Sequence, residues 1–230
     1  MPALLNQISI KMMFSRTTLA ALVVLLATAG EFSPAWAVGF GIVSGVDYQE
    51  RVFASGGMEY DTRQLQFFLQ PQIRLGRGWR IFARAGYTNL TYDTPALGGK
   101  DYNEWGWTGG GGIGWDPFRW SGLYLGSEAG FFLTRTSGSS REGEYLNWGV
   151  DLRAGWDLGA IEICLGAAYD DGIVRDRDPE KDSSRENYRL EDPWNLFAGA
   201  KLNVPFLPRL QARYYFWKDR LAFLGLGYDF

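Results

Sequence analysis

The chain has 230 residues, a formal net charge of −3 and no histidine. The slight acidic balance argues against a nucleic-acid partner, which would require a basic face. The absence of histidine excludes Ser-His-Asp triads, Cys-His dyads and His-based metal sites. Because Cys164 is the single cysteine, neither an intrachain disulfide nor a Cys-clustered metal centre can form.

The first 37 residues have the pattern of a secretory signal peptide. Lys11 and Arg16 precede an apolar run over 19–29, which is too short to span a bilayer. A buried core helix is the alternative interpretation of that run. Small residues at Ala35 and Ala37 predict cleavage after Ala37. The predicted organisation is therefore a signal peptide, 1–37, followed by one exported domain, 38–230.

From residue 38 onward, apolar and polar residues alternate with a period of two, and no apolar stripe of helical period is evident. The segments that alternate are 40–48, 64–75, 79–88, 104–115, 123–134, 146–157, 161–169, 194–204, 210–216 and 222–230. Ten such segments predict an all-β protein, a transmembrane antiparallel up-and-down β-barrel with an even number of strands. Eight or twelve strands are the alternatives.

The connections between these segments alternate in length. Short connections are predicted at 76–78, 116–122, 158–160 and 206–208. Longer polar connections are predicted at 51–63, 93–103, 135–143 and 170–189. This alternation is typical of short periplasmic turns and longer extracellular loops. The last connection, at Lys218-Asp219, departs from it and predicts a tight hairpin.

The polar faces are predicted to point into the barrel. Charges of both signs would be costly in a sealed apolar core, whereas a membrane barrel keeps charge off its lipid face. Aromatic residues fall at strand ends, as in the two girdles at membrane interfaces; a soluble up-and-down barrel, the alternative, does not require this. The predicted girdle comprises Trp79, Trp105, Trp107, Trp115, Trp148, Trp156 and Trp194, with Tyr145 and Tyr169 beside the longer loops.

Ten charged residues are predicted to face the lumen: Arg74, Arg80, Arg84, Glu104, Glu128, Asp151, Arg153, Glu162, Lys201 and Arg213. One interpretation is a charge-lined pore. The other is an ion-pair network that fills the lumen. Barrels of eight strands are filled by their own side chains, and wide channels need about sixteen strands. A barrel of about ten strands therefore favours the network.

No catalytic, cofactor-binding or metal-binding residue is predicted. The glycine-rich run 108–114 lacks the Lys and helix of a phosphate loop, and is interpreted as space for neighbouring aromatic side chains. The acidic stretch 170–182 carries carboxylates that suit Ca²⁺, but its interspersed basic residues favour a solvated loop. Glu128 and Asp151 are the candidate pair for acid–base catalysis, and nothing in the sequence singles them out.

The segment Gly225-Leu226-Gly227-Tyr228-Asp229-Phe230 resembles the C-terminal assembly signal of bacterial outer-membrane proteins. Its matching positions are Gly225, Tyr228 and Phe230, while Phe223 stands where a polar residue is usual. With the leader and strand pattern, the chain resembles small outer-membrane barrels of the OmpA-membrane-domain and opacity-protein type, without matching one named family. The resemblance implies a Gram-negative-type envelope, insertion by the barrel-assembly machinery, outer-membrane lipid around the barrel and extracellular loops.

The predicted function is that of a non-catalytic outer-membrane barrel with a structural or surface-binding role through its extracellular loops. The alternative is a narrow porin-like channel for ions or small solutes. Outer-membrane barrel proteases and lipid hydrolases rely on histidine, which this chain lacks, so the resemblance does not extend to an enzyme. A surface ligand or solute is not identified.

Overall fold

The computed structural model describes residues 38–55, 58–76, 78–93, 102–137, 142–177, 186–204, 207–216 and 220–229. The predicted signal peptide, Lys218, Asp219 and Phe230 lie outside these ranges, so their assignments stay predictions. No helix in the described ranges is long and apolar enough to cross a membrane.

The described chain forms eleven strands in one antiparallel sheet. They are β1 (Gly39–Ser55), β2 (Met58–Arg74), β3 (Trp79–Asp93), β4 (Tyr102–Trp120), β5 (Leu123–Ser137), β6 (Glu142–Asp157), β7 (Ile161–Arg177), β8 (Glu186–Leu190), β9 (Trp194–Leu202), β10 (Arg209–Tyr215) and β11 (Arg220–Asp229). All strands except β8 follow one another around the wall, and β11 pairs with β1 to close it. The prediction of an antiparallel barrel of about ten strands is confirmed.

In strand β2, polar and apolar side chains alternate between the lumen and the outer surface of the barrel. Gln64, Gln66 and Gln70 are buried inside the barrel, whereas Phe67 and Leu69 are exposed on its outer surface. Successive strand residues point to opposite faces, so one set lines the lumen and the other covers the outside. The polar set faces inward, as the placement of the charged and aromatic residues predicts.

Two of the short turns carry the positive backbone φ angles that tight connections require. Gly78 has φ of 82° and Gly159 has φ of 85°, a region that glycine occupies without steric cost. The predicted connection 116–122 is shorter than expected because β4 runs to Trp120 through a register shift between Trp115 and Phe118. We call the end of the barrel that carries these turns the lower end, and the opposite end the upper end.

The eleventh strand, β8, covers the end of the predicted loop 170–189 and one residue beyond it. One edge of β8 pairs with β7, and its other edge pairs with β1 through Phe53 and Leu190. Towards the lower end, β9 takes the place of β8 beside β7, and its other edge pairs with β10 rather than with β1. The hairpin of β10 and β11 reaches only Glu50 on β1, so the wall has ten strands below this level and eight above it.

The strands also extend further upward than predicted. Strands β1 and β2 continue to Ser55 and Met58, and β7 continues to Arg177. The described parts of the predicted loops 51–63, 135–143 and 170–189 are therefore strand, which corrects the sequence interpretation. The polar composition of these segments predicts loops, yet an antiparallel ladder above an apolar belt tolerates polar side chains on its outer face.

Candidate functional site: the charged lumen and its upper cap

The outer surface carries an apolar belt bordered by aromatic rings, and all seven predicted girdle tryptophans lie on this face. On β6, Trp148 and Trp156 are separated by eight positions, or about 26 Å of strand at 3.3 Å per residue. Stacked rings mark both borders: Trp79 with Trp115 at the lower end, 5.1 Å between centroids, and Tyr87 with Trp105 at the upper end, 5.2 Å. A tilted strand of this length matches the span of a bilayer's hydrocarbon core.

Within the described part of the wall, charged side chains on the outer face lie at or above the upper ring border. Arg135 and Arg175 lie 3.4 and 3.5 Å from Glu144. Arg63 lies 3.4 Å from Glu50 on the neighbouring strand. These exposed pairs show that the wall continues above the belt into a polar environment.

Inside the barrel, three arginines from three strands converge on shared carboxylates. Arg80 of β3 binds Glu128, and Arg153 of β6 lies 3.9 Å from the same carboxylate. Arg153 is also 3.3 Å from Asp151, which in turn is 2.8 Å from Arg213 of β10. We call Arg80, Arg153 and Arg213 the arginine cluster. Ion pairs of this kind join strands that are not neighbours in the wall.

Asp116 also contacts the arginine cluster, at 3.0 Å from Arg153 and 3.6 Å from Arg80. The sequence predicts this residue in the short connection 116–122. Because β4 continues past Trp115 with a register shift, its carboxylate is brought to the lumen instead.

Arg84 is held by both polar and aromatic groups. Its guanidinium donates to Gln70 at 2.9 Å and lies 3.3 Å from Asp47. It also lies 4.3 Å from the ring centroid of Phe68 and 5.0 Å from that of Phe132. Such placement over aromatic faces is favourable for a cation, so the side chain is fixed across the lumen.

The remaining predicted luminal charges lie near the two ends. Lys201 is 2.5 Å from Glu162 on the adjacent strand. Arg74 is 2.5 Å from Asp229 at the lower rim, where Arg209 binds the same carboxylate. All ten predicted luminal charges thus lie on the inner face.

Glu104 lies near the upper end of the lumen and takes part in a hydroxyl-rich network. The carboxylate accepts a hydrogen bond from Thr136 at 2.8 Å. Thr134 on the same strand is shared between Thr108, at 2.7 Å, and Gln64, at 3.5 Å. This polar ladder joins β2 to β5 across the inside of the barrel, because Gln64 reaches past two intervening strands.

The luminal positions of Asp47, Arg51 and Asp170 were not predicted. Asp170 falls in a predicted loop, although it shares its parity in the alternation with Glu162 and Ala168. Asp47 lies within the predicted segment 40–48, opposite Val46 in the alternation. Continuing the alternation a few residues beyond 48 and 169 would have placed Arg51 and Asp170 on the luminal face as well.

Four buried side chains close the upper end: Phe53 (2% exposed), Tyr145 (3%), Val174 (5%) and Leu190 (7%). We call them the upper cap. The rings of Phe53 and Tyr145 meet edge to face at 5.4 Å. The prediction that Tyr145 belongs to the outer girdle is wrong, since the residue points inward as a consequence of the strand extending above the belt.

A polar layer supports the cap from below. Arg51 donates a hydrogen bond to the hydroxyl of Tyr145 at 2.9 Å and pairs with Asp170 at 3.2 Å. These contacts join β1, β6 and β7, which meet here because the upper wall is narrower than the lower wall. The cap and its supporting arginine therefore occupy the lumen at this level of the barrel.

Between the cap and the lower rim lies a polar cavity of about 190 Å³. Its lining extends from Arg74 and Arg209 at the rim to Tyr145 of the cap. A second cavity of about 10 Å³ lies under Phe53 and Val174. A water molecule needs about 10–15 Å³ of such space, so the main cavity has room for several waters or a small solute.

The described residues contain no group of three or more His, Cys, Asp or Glu side chains placed to hold a metal ion. Residues 178–182 of the acidic stretch lie outside the described chain. Glu128 and Asp151 are paired across neighbouring strands, yet both carboxylates bind arginines. Such engagement suits charge balance rather than acid–base catalysis.

No protein-family model and no curated protein matches the chain. Among solved structures it is similar to the translocator domain of the autotransporter NalP from Neisseria meningitidis, at 14% identity and a TM-score of 0.46, covering 93% of this chain and 95% of that one. It is also similar to the outer membrane protease OmpT from Escherichia coli (12% identity, TM-score 0.42, 86% and 99% covered). A further similarity is to an outer membrane channel from Pseudomonas putida F1 (10%, 0.42, 87% and 98%). At these identities, function has to be inferred from the chain's own side chains.

The first prediction concerns the cross-lumen pairs. Replacing Asp151 by asparagine leaves the guanidinium of Arg213 without its carboxylate in the lumen, so we expect the free energy of unfolding to fall by about 3 kcal/mol. The measurement is a urea titration of the folded barrel in detergent. Glu144→Gln on the same strand is the matched control: its pairs are surface-exposed, and we expect a loss below about 1 kcal/mol. Equal losses in the two variants would show that the luminal pairs contribute no more to stability than the exposed pairs do.

Proposed function

We propose that the protein is a non-catalytic integral barrel of the outer membrane whose lumen is closed by its own side chains. The apolar belt supports membrane insertion, because strands with this outer face bury their apolar side chains only in hydrocarbon or against a partner. The leader pattern and the C-terminal segment around Gly225 and Tyr228 support export and assembly in that membrane. In this orientation the upper end is extracellular.

The observation that carries the closed-lumen proposal is the upper cap. Four apolar side chains fill the eight-stranded part of the barrel, and Arg51 spans the space beneath them. An open aqueous path would require these groups to separate. A barrel closed in this way acts through its outer rim, as an envelope component or a surface for binding other molecules.

The second prediction is that the folded protein carries no channel current across a lipid bilayer. Folded protein should insert into a planar bilayer and give no discrete current steps, because the cap and the luminal pairs leave no continuous aqueous path. A heat-dependent gel shift confirms beforehand that the barrel has closed. Frequent salt-dependent steps from protein folded by this criterion would overturn the closed-lumen proposal.

A narrow channel is the second candidate function, and the polar cavity of about 190 Å³ favours it. In that case the cap would be a gate above a hydrated lumen. The same recording separates the two functions, since a channel gives steps whose ion selectivity depends on the luminal arginines, while a closed barrel gives none.

A further inference from the structure

The wall of the main cavity is richer in cations than in anions. The arginine cluster itself is balanced, because Glu128, Asp151 and Asp116 pair with its three guanidinium groups. Over the whole lining, eight Arg and Lys side chains face four carboxylates, and three further carboxylates, Asp116, Glu162 and Asp229, pair with these cations. The cavity wall therefore keeps a net positive charge, and its field favours an anion.

Arg153 has hydrogen-bonding capacity that the protein does not use. The residue is 4% exposed, and its Nη atoms bind Asp116 and Asp151. Its Nε has no hydrogen-bond partner. A buried donor left without an acceptor carries a desolvation cost, which a rotation of the Arg153 guanidinium toward an acceptor bound in the cavity would remove. Gln66 Nε2, a second buried donor without a partner, lines the same cavity.

The entrance to the cavity is also cationic. Arg74 and Arg209 share Asp229 at the lower rim, and both side chains are partly exposed there. A cleft whose mouth and wall carry the same sign of charge concentrates oppositely charged solutes. An anion would thus reach the arginine cluster from the lower end, beneath the closed cap.

We propose that the arginine cluster binds a small free oxyanion of the size and charge of phosphate or sulfate. Guanidinium groups present paired N–H donors that match the oxygens of such anions, and the cavity volume admits a small solute with some water. This goes beyond the proposed function, because a closed lumen and a conducting lumen could each hold the anion. The site would make the lower half of the lumen a binding pocket.

Equilibrium dialysis of the folded barrel against radiolabelled inorganic phosphate tests this inference. Ionic strength is held constant with sodium chloride, so that screening does not change along the titration. We expect saturable binding of about one phosphate per barrel, with sulfate competing, as shared oxyanion recognition by arginine requires. Absence of saturable binding to protein that shows the heat-dependent gel shift would overturn the inference.

Variants locate the site. Arg153→Gln should weaken phosphate binding at least about tenfold, or about 1.4 kcal/mol, while Asp116, Glu128 and Asp151 each keep another arginine partner. Arg135→Gln is the control: it removes the same charge from the outer face, where Glu144 keeps Arg175, and should leave binding unchanged.

A second variant guards against failure of the first to fold. Arg80→Gln also leaves Asp116 and Glu128 with Arg153, and should weaken binding similarly. Unchanged binding in the folded cluster variants would overturn the inference. Bilayer recording separates this inference from the closed-lumen proposal. A barrel that carries no current and binds no phosphate would support the closed lumen and overturn the anion site. A barrel that conducts and binds phosphate would overturn the closed lumen and support the anion site.

Discussion

Replacing Gly110 by alanine should strongly destabilise the barrel. A Cβ atom at this position would lie 2.2 Å from the carbonyl oxygen of Phe131 and 2.6 Å from the ring of Phe132. The carbonyl belongs to the neighbouring strand and cannot move without disturbing the ladder. Overpacking of this kind costs about 3 kcal/mol, and we expect a loss of that size in the free energy of unfolding, measured by urea titration with the heat-dependent gel shift.

The adjacent Gly109 supplies the matched control. It points outward, and its nearest contact for an added Cβ would be the ring of Trp107 at 3.4 Å. We expect Gly109→Ala to change stability by no more than about 0.5 kcal/mol. Equal losses in both variants would indicate that the glycines act through backbone flexibility and would contradict the packing explanation for the glycine-rich strand.

The inward and outward faces could be predicted from the sequence because they depend on a local property. Side chains alternate along every strand, so Arg84 and Arg153 fall on the luminal face wherever their strands stand in the wall. The aromatic borders follow for the same reason, since Trp148 and Trp156 are fixed by their spacing along one strand. A one-residue error in register would have exchanged the two faces.

The partners of the luminal charges could not be predicted in the same way. Arg213 on β10 meets Asp151 on β6, although β7 and β9 lie between them in the sheet. Only the curvature of the closed wall brings their side chains together. The glycines beside Phe132 help set that curvature, but their pattern does not specify which charges meet.

The change from ten strands to eight in the upper wall could not be predicted from the sequence either. Strand β8 has five residues and no clear apolar alternation, and its pairing with β1 is decided by where the β10–β11 hairpin ends. Tyr145 was placed in the girdle because aromatic residues near loops usually lie at a membrane interface. Its inward position follows from strands that continue above the belt. The polar composition of those segments predicts loops rather than strands.

Removing Phe53 and Arg51 together should convert a silent barrel into a conducting one. Phe53→Ala takes the buried ring out of the upper cap, and Arg51→Ala removes the side chain that spans the lumen to Tyr145 and Asp170. The polar cavity would then connect to the upper mouth. In planar bilayers we expect discrete, salt-dependent current steps from the double variant.

The control is a double variant with the same changes on the outer face, Phe216→Ala and Arg135→Ala, which should stay silent because neither residue borders the lumen. If the cap variant folds and also stays silent, the cap is not the barrier. The obstruction would then lie lower, where Arg84 is held between Phe68 and Phe132. Conductance in both double variants would instead point to loosening of the whole wall, since cation–aromatic and ion-pair contacts inside the barrel hold the strands at fixed separations.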